Sequence, residues 1–342
     1  MIRVLVVDDS LTARALIEAM LASDPELEVC GVAGDGLEAV AEAKRLRPSL
    51  IVMDVRMPGC DGFEATRRIM AETPTPIVIV SGTIDVRDVE HSLEALRAGA
   101  LALLPKPEAP GTPEFEGQRR HLVSTVKAMS QVKLVRRHAP ARASLSPPVP
   151  LRGVALARRV IAVAASTGGP GALHRVLTEL PQGFPLPILV VQHIAIGFAS
   201  GLASWLAHAA RLDVKVAQHG ELLQPGRVYL APDEHHLAVD PGGAAVRVLD
   251  GAPVHGFRPS ATVLFQSVAK AFGRAGVAVM LTGMGEDGVA GLREVHDAGG
   301  HVIAQDEATS VVFGMPGAAV AAGITDEVLP LERIPSRLAE LL

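Results

Sequence analysis

Short, unbroken runs of aliphatic residues punctuate this chain, with stretches of helical length between them. A run of four to eight apolar residues without polar alternation is what a strand buried on both faces requires. Strands of that kind, alternating with helices, are joined by crossovers and fold as a parallel, doubly wound sheet. In the first half the runs are 2–7, 28–33, 49–53, 77–81 and 100–104, with helices between them such as 12–22 and 36–46. The second half repeats the style. It has strands at 159–165, 187–192, 226–231, 276–282 and a further short one at 301–304, and helices at 170–180, 198–210, 260–272 and 288–298. The segment 236–249, with Pro-Gly-Gly at 241–243, reads as a hairpin. The fold class is α/β: two doubly wound parallel-sheet domains joined by a linker.

The boundary between the halves is written in composition. From Gln118 to Arg159 there is no Asp or Glu but ten Lys or Arg, and prolines and small residues crowd 139–150 (APARASLSPPVP). Residues 108–150 therefore read as a basic, Pro-rich linker, with a short helix around 119–137, between domains over 1–107 and 151–342. The basic run reads as a solvated linker, with a docking strip for an acidic partner as the alternative. A net charge of -5 over 342 residues exerts no global pull toward nucleic acid or anionic membrane. Two cysteines, Cys30 and Cys60, are too few for a secreted disulfide framework and fit a reducing cytosol. The opening MIRVLVVDDS meets aspartates within eight residues, unlike a signal peptide, and no apolar run approaches the roughly 18 residues of a bilayer span. A cytoplasmic protein without direct membrane insertion is expected.

Polar residues at successive strand ends make up two chemical sets. In the first half, Asp8 and Asp9 end strand 1, Asp54 follows strand 3, Ser81 ends strand 4 and Lys106 follows strand 5. In a doubly wound sheet the ends of strands 1 and 3 lie side by side at the carboxyl edge. Three carboxylates there repel one another unless a cation sits among them, and a hard, oxygen-liganded ion such as Mg2+ suits the set. Such a site would neutralise the charge that builds as a phosphoryl group transfers to a carboxylate. Each aspartate alone would read as a loop or cap residue. The sequence of five suitable residues at strand ends favours a phosphoacceptor.

In the second half, RVIAVAASTGGPGALHRVL passes from strand to helix through a Gly-rich turn carrying Ser166. A nucleophile there would sit near a helix N-terminus, where N–H groups can stabilise an oxyanion. His193 ends the strand PILVVQH and could act as general base; Asp287, past VAVMLTGMGEDG, could fix the imidazole tautomer. Each has a plainer reading. The turn could bind phosphate, although ASTGGPG has no Walker lysine and fits GxGxxG poorly. The order Ser, His, Asp is not that of α/β-hydrolases, and there is no GxSxG elbow. His235 and His236 sit beside Asp233 and Glu234, but neighbours on an extended strand face opposite sides, which argues against a shared metal. Asp306 and Glu307 read as loop caps, with a place lining a cleft as the alternative, and Trp205 reads as a buried helix residue.

The first half resembles the response-regulator receiver domain through VLVVDDS, MDVRMPGCDG, IVIVSGT and PKP, over about residues 1–107. The resemblance implies a flavodoxin-like domain in which Asp54 is phosphorylated from a histidine kinase. It further implies that Asp8, Asp9, Asp54 and the backbone carbonyl of Arg56 bind Mg2+, while Ser81 and Lys106 sense the phosphoryl group. Two positions depart from the pattern: Leu103 stands where receivers often carry a mobile aromatic, and Ala102 replaces an acidic residue.

The whole chain outside the linker resembles the chemotaxis protein-glutamate methylesterases (the CheB family), through ASTGGP, VVQHI, LAPDEHHL, RPSATVLFQSVA, LTGMGEDGVAG and QDEATSVVFGMP. That resemblance implies Ser166 as nucleophile, His193 as base, Asp287 as orienting acid, and Thr167 with the Met284 backbone at the oxyanion. Glu286 departs, standing where many relatives have a smaller polar residue. The implied activity is hydrolysis of γ-glutamyl methyl esters, with deamidation of selected glutamines, on methyl-accepting chemotaxis receptors. The implied phosphodonor is the chemotaxis histidine kinase, and the unphosphorylated receiver is expected to cover the esterase cleft. No cofactor is expected in the hydrolase domain. An array outside chemotaxis would use the same chemistry on a different receptor. The competing class is a response regulator with a DNA-binding or scaffolding effector. Against a nucleic-acid partner, 151–342 holds 17 acidic and 14 basic residues rather than a basic face.

Overall fold

The computed structural model describes residues 1–82, 94–96, 98–112, 115–132 and 159–342. Its contacts divide it into two compact units, one built on a five-stranded sheet and one on a seven-stranded sheet.

The first sheet comprises β1 (Ile2–Val7), β2 (Leu27–Ala33), β3 (Leu50–Met53), β4 (Ile77–Ser81) and β5 (Ala102–Pro105), in the order β2-β1-β3-β4-β5. Every pairing is parallel. Helices α1 (Leu11–Ala22), α2 (Gly36–Leu46) and α3 (Gly62–Glu72) start at the side chains of Ser10, Asp35 and Asp61, which accept from backbone N–H groups of the first turn. The central strands β3 and β4 are buried along their whole length, as their uninterrupted apolar runs require.

A further helix, α4 (Phe115–Ser130), begins inside the segment that reads as linker. It buries Leu122, Val123, Val126 and Met129, a single stripe at helical spacing, and packs on α1 and on β3, β4 and β5. Arg119 and Arg120 before the stripe and Lys127 within it mask it in the sequence. The first folded unit thus continues past residue 107. The remainder of the linker, 133–150, lies outside the described residues.

The second sheet runs β14-β13-β12-β6-β7-β9-β8 and is also wholly parallel. Its strands are β6 (Val160–Ala165), β7 (Ile188–Gln192), β8 (Asp213–Val216), β9 (Arg227–Leu230), β12 (Gly276–Met280), β13 (His301–Gln305) and β14 (Glu327–Leu329). The segment 236–249 forms the expected antiparallel hairpin of β10 (His236–Val239) and β11 (Val246–Leu249). The longer helices are α5 (Gly169–Glu179), α6 (Ala199–Ala209), α7 (Ala261–Phe272) and α8 (Val289–Asp297). The edge strands β8 and β14 carry no continuous apolar run in the sequence, because DVKV and EVL are short, charged and half-exposed. Two seven-residue helices with proline in the first turn, α9 (Met315–Ala321) and α10 (Ile334–Glu340), are too short to show a period. Among the described residues no helix is long and apolar enough to cross a membrane.

Candidate functional site

Each sheet reverses its direction of build-out once, and polar side chains collect at both reversals. In the first sheet the reversal lies between β1 and β3, which pair through Val7 and Met53. Asp8 and Asp54 follow directly, and the Asp54 N–H donates to Val7 O at 2.8 Å. Both carboxylates are buried, whereas Asp9 is exposed. Lys106 Nζ bridges them, 2.8 Å from Asp8 Oδ2 and 2.8 Å from Asp54 Oδ2. The remaining oxygens accept from backbone: Asp8 Oδ1 from Ser10 N at 2.9 Å and Asp54 Oδ1 from Val55 N at 2.7 Å.

Burial pushes the Asp54 carboxyl up and the nearby Asp8 charge adds to this; Lys106 and the Val55 N–H pull it down, and the outcome is about 6. Burial pulls the Lys106 ammonium down, but its two carboxylate partners hold it above its ordinary value. One carboxylate oxygen each from Asp8, Asp9 and Asp54 lies within 4.8 Å of the others. An all-oxygen donor set of that charge fits a hard divalent cation. Ser81 ends β4, is 2% exposed, and its carbonyl accepts from the Lys106 N–H. Arg56 lies on the loop leaving β3, and Leu103 packs half-buried on the apolar core of this unit.

In the second sheet the chain proceeds from β6 to β7 on one side and later adds β12 on the other, so the reversal lies at β6 and β12. Ligands in open α/β sheets bind outside the carboxyl ends of strands at such a point. Ser166 leaves β6 there, and its N–H donates to Thr282 O at 3.0 Å, just past β12. A Cβ placed on Gly283 would lie 2.8 Å from Ser166 Cβ, so the backbone entering Met284 runs directly against the serine, and a side chain at 283 would not fit. Thr167 follows in the same turn, and its carbonyl accepts from Thr282 Oγ1 at 3.0 Å. His193 follows β7, adjacent to Ser166 because Ala165 pairs with Gln192. The His193 Nε2 lies 2.9 Å from Asp287 Oδ2. Its Nδ1 is buried without a protein partner, so the ring nitrogen on the far side from the carboxylate is the one free to take a proton.

Asp287 is 2% exposed and receives five hydrogen bonds. Ser260 Oγ at 2.7 Å, Thr262 Oγ1 at 3.0 Å and Thr262 N at 3.3 Å donate to Oδ1, while His193 and Ala261 N at 2.7 Å serve Oδ2. The carboxylate therefore sits on the N-terminal turn of α7, where the helix dipole favours negative charge. Burial pushes its carboxyl up, but the His193 bond and charge, Ser260 and the Ala261 N–H outweigh burial and hold it at about 2.

Residues given no role in the sequence frame this cluster. Gln192, 3% exposed, donates its amide hydrogens to both Ser166 O and His193 O at 2.8 Å, tying the serine turn to the histidine. Gln305 accepts from Thr282 N at 2.8 Å and steadies the loop after β12. His236 and His235 turn to different partners. The His236 Nδ1 accepts from Ser260 N at 3.1 Å and its Nε2 reaches Ala252 O at 3.0 Å, whereas His235 turns to Asp233 O and Asp250. Asp306 caps its own loop, accepting from Thr309 N and Oγ1. Glu286, next to Asp287, is exposed. Only an unbroken polar stretch within apolar surroundings, such as Gln192 between VV and His193, could have marked these supports beforehand.

The Gln192 amide leaves no room opposite. A Cβ on Gly169 would lie 2.0 Å from Gln192 Oε1 and 2.7 Å from Ala165 Cβ. Gly169→Ala is therefore expected to destabilise the hydrolase unit by about 1–3 kcal/mol, through overpacking. Urea unfolding of the variant beside the parent measures this.

The family model described as CheB methylesterase matches residues 161–338, and that of the response regulator receiver domain matches residues 4–112. The chain is 56% identical to a protein-glutamate methylesterase/protein-glutamine glutaminase of Myxococcus xanthus, over 98% of this chain and 96% of the relative. It is 57% identical to one of Anaeromyxobacter dehalogenans, over 99% and 98%. Among solved structures, the Thermotoga maritima CheB methylesterase catalytic domain is similar at 39% identity with a TM-score of 0.53, covering 54% of this chain and 99% of that one.

Proposed function

The chain belongs to the CheB methylesterase family, as a protein-glutamate methylesterase/glutaminase with a receiver domain; from that premise we propose a phosphorylation-activated serine hydrolase that acts on methyl-accepting chemotaxis receptors in sensory adaptation. Its substrates are γ-glutamyl methyl esters on the cytoplasmic helices of those receptors, and selected glutamines that it deamidates. Ser166 Oγ attacks the ester carbonyl, and His193 Nδ1 takes its proton. Thr167 and the Met284 backbone steady the oxyanion, and the imidazolium returns the proton to departing methanol. Water then enters, activated by the same nitrogen, and releases the glutamate. Asp287 holds the proton on Nε2 and balances the imidazolium charge.

The observation that carries this reading is the His193–Asp287 pair, 2.9 Å apart, with the second imidazole nitrogen left without a protein partner, on a residue that leaves the strand next to that of Ser166. In apo proteins such nucleophile–base contacts are often open and tighten only with substrate.

For control, the reading is that Asp54 accepts a phosphoryl group from the chemotaxis histidine kinase and that Ser81 and Lys106 hold its oxygens. Asp8, Asp9, Asp54 and the Arg56 carbonyl would hold Mg2+, which supplies positive charge against the incoming phosphoryl group. The expectation is that modification opens the esterase cleft to the receptor.

The test is release of labelled methanol from methylated receptor membranes, with and without a small acyl-phosphate donor and Mg2+. The rate is expected to rise with the donor, and the rise is expected to vanish in Asp54→Asn. A rate unchanged while mass spectrometry shows Asp54 modified rejects the control; no methanol release under any condition rejects the hydrolase.

A further inference from the structure

The segment between the β10–β11 hairpin and α7 supplies contacts to both members of the histidine–carboxylate pair. Its last residue, Ser260, and the first two residues of α7, Ala261 and Thr262, bond to Asp287. Its N-terminal part is a two-residue turn in which Val254 and Phe257 exchange both backbone hydrogen bonds at 3.0 Å. The central residues, His255 and Gly256, have φ of 51° and 86°. Positive φ at both positions is the type I′ geometry of tight hairpins. This turn delivers Phe257 onto the His193 imidazole, with ring centroids 4.2 Å apart and planes 9° from parallel.

We propose that Phe257 is a positioning residue for His193, its ring fixing the plane of the imidazole so that Nδ1 faces the serine. The proposal rests on the reading of His193 as the base. The terminal torsion of a histidine is broad and two-fold, and one hydrogen bond at Nε2 tolerates considerable tilt about it. Nδ1 has no protein partner to resist that tilt. A face-to-face ring does resist it, because tilting drives an imidazole edge into the phenyl face. The same π face attracts the imidazolium that forms as the proton is taken.

Phe257 is half-buried, so it is not spent on filling the interior. The other side chains of this turn and its exit face elsewhere. Arg258 reaches Glu234 at 3.5 Å and Gly251 O at 3.2 Å, and His255 is exposed. The carboxylate that touches the imidazole is Asp287, and Glu286 beside it is exposed.

The experiment compares the full-length chain with Phe257→Leu and Phe257→Tyr. Steady-state kinetics of methanol release from methylated receptor membranes are measured in the presence of the acyl-phosphate donor. In parallel, the His193 ring proton between the two nitrogens is followed by NMR on histidine-labelled protein, where a stacked phenyl shifts it upfield. Phe257→Leu is expected to lose the upfield shift and to lower kcat about tenfold with KM within about twofold. Phe257→Tyr is expected to restore both. Gly256→Ala strains the turn without altering a side chain at the site, and is expected to lower kcat in the same direction.

A Phe257→Leu protein within about twofold of the parent in kcat overturns the proposal and leaves the hydrolase standing, as do equal losses in the Leu and Tyr variants or a loss confined to KM. A parent chain that releases no methanol overturns both, and the NMR signal then still reports whether the rings are stacked.

Discussion

Ser166→Ala is expected to lower kcat for methanol release by about a millionfold, to the residual level set by binding and oxyanion contacts alone. The effect is large because removing the hydroxyl removes the covalent route, not one contribution to it. The surrounding frame does not depend on that hydroxyl. The Ser166 N–H is held by Thr282 O, and its carbonyl by Gly169 N and Gln192. The variant is expected to unfold within about 0.5 kcal/mol of the parent. Single-turnover assays on labelled receptor, beside urea unfolding, separate the two quantities. Substantial release by a folded Ser166→Ala protein would dismiss the serine as nucleophile.

Asp287→Ala carries the second large effect, in activity and in stability. Without the carboxylate nothing holds the proton on Nε2, and kcat is expected to fall about ten-thousandfold. The variant also leaves the Ser260 hydroxyl and the Ala261 and Thr262 N–H groups facing a cavity, which costs about 3 kcal/mol at neutral pH. The sign of the pH dependence follows from the depressed carboxyl, at about 2 in the fold against 3.8 for the free group. A depressed acid stabilises the fold above its unfolded value. That contribution, about 2 kcal/mol, is present above pH 4 and is lost as pH falls from about 4 to 2. The parent's stability should decline more steeply over that window than the variant's. Activity is compared at a temperature where the variant is fully folded. Parallel acid limbs for parent and variant would show that Asp287 is not the buried, ionised partner of His193.

Much of the fold was legible because burial on both faces of a parallel strand demands a continuous apolar run. VIAVAA, ILVVQ and IVIVS are such runs, and they emerge as β6, β7 and β4 within a residue of their expected ends. The edges were not legible, since β8 and β14 need burial on one side only and carry charges in consequence. Helix α4 was half-legible: its stripe at Leu122, Val123, Val126 and Met129 is spaced as a helix requires, but a basic, acid-free stretch reads first as linker.

At the site, the reactive residue types stood at strand ends and could be named one by one. The pairing of His193 with Asp287 was expected from residue type, but the groups that support it, Ser260, Thr262 and Gln192, could not be named, because hydrogen bonds across so many positions leave no local mark. The pattern of apolar runs settles which side chains reach the carboxyl edge of a sheet, since that depends on strand length and chain direction. The order in which strands pair settles which of those ends become neighbours. That is why the unpartnered imidazole nitrogen, the five donors on Asp287 and the phenyl ring on the imidazole emerged only from the assembled fold.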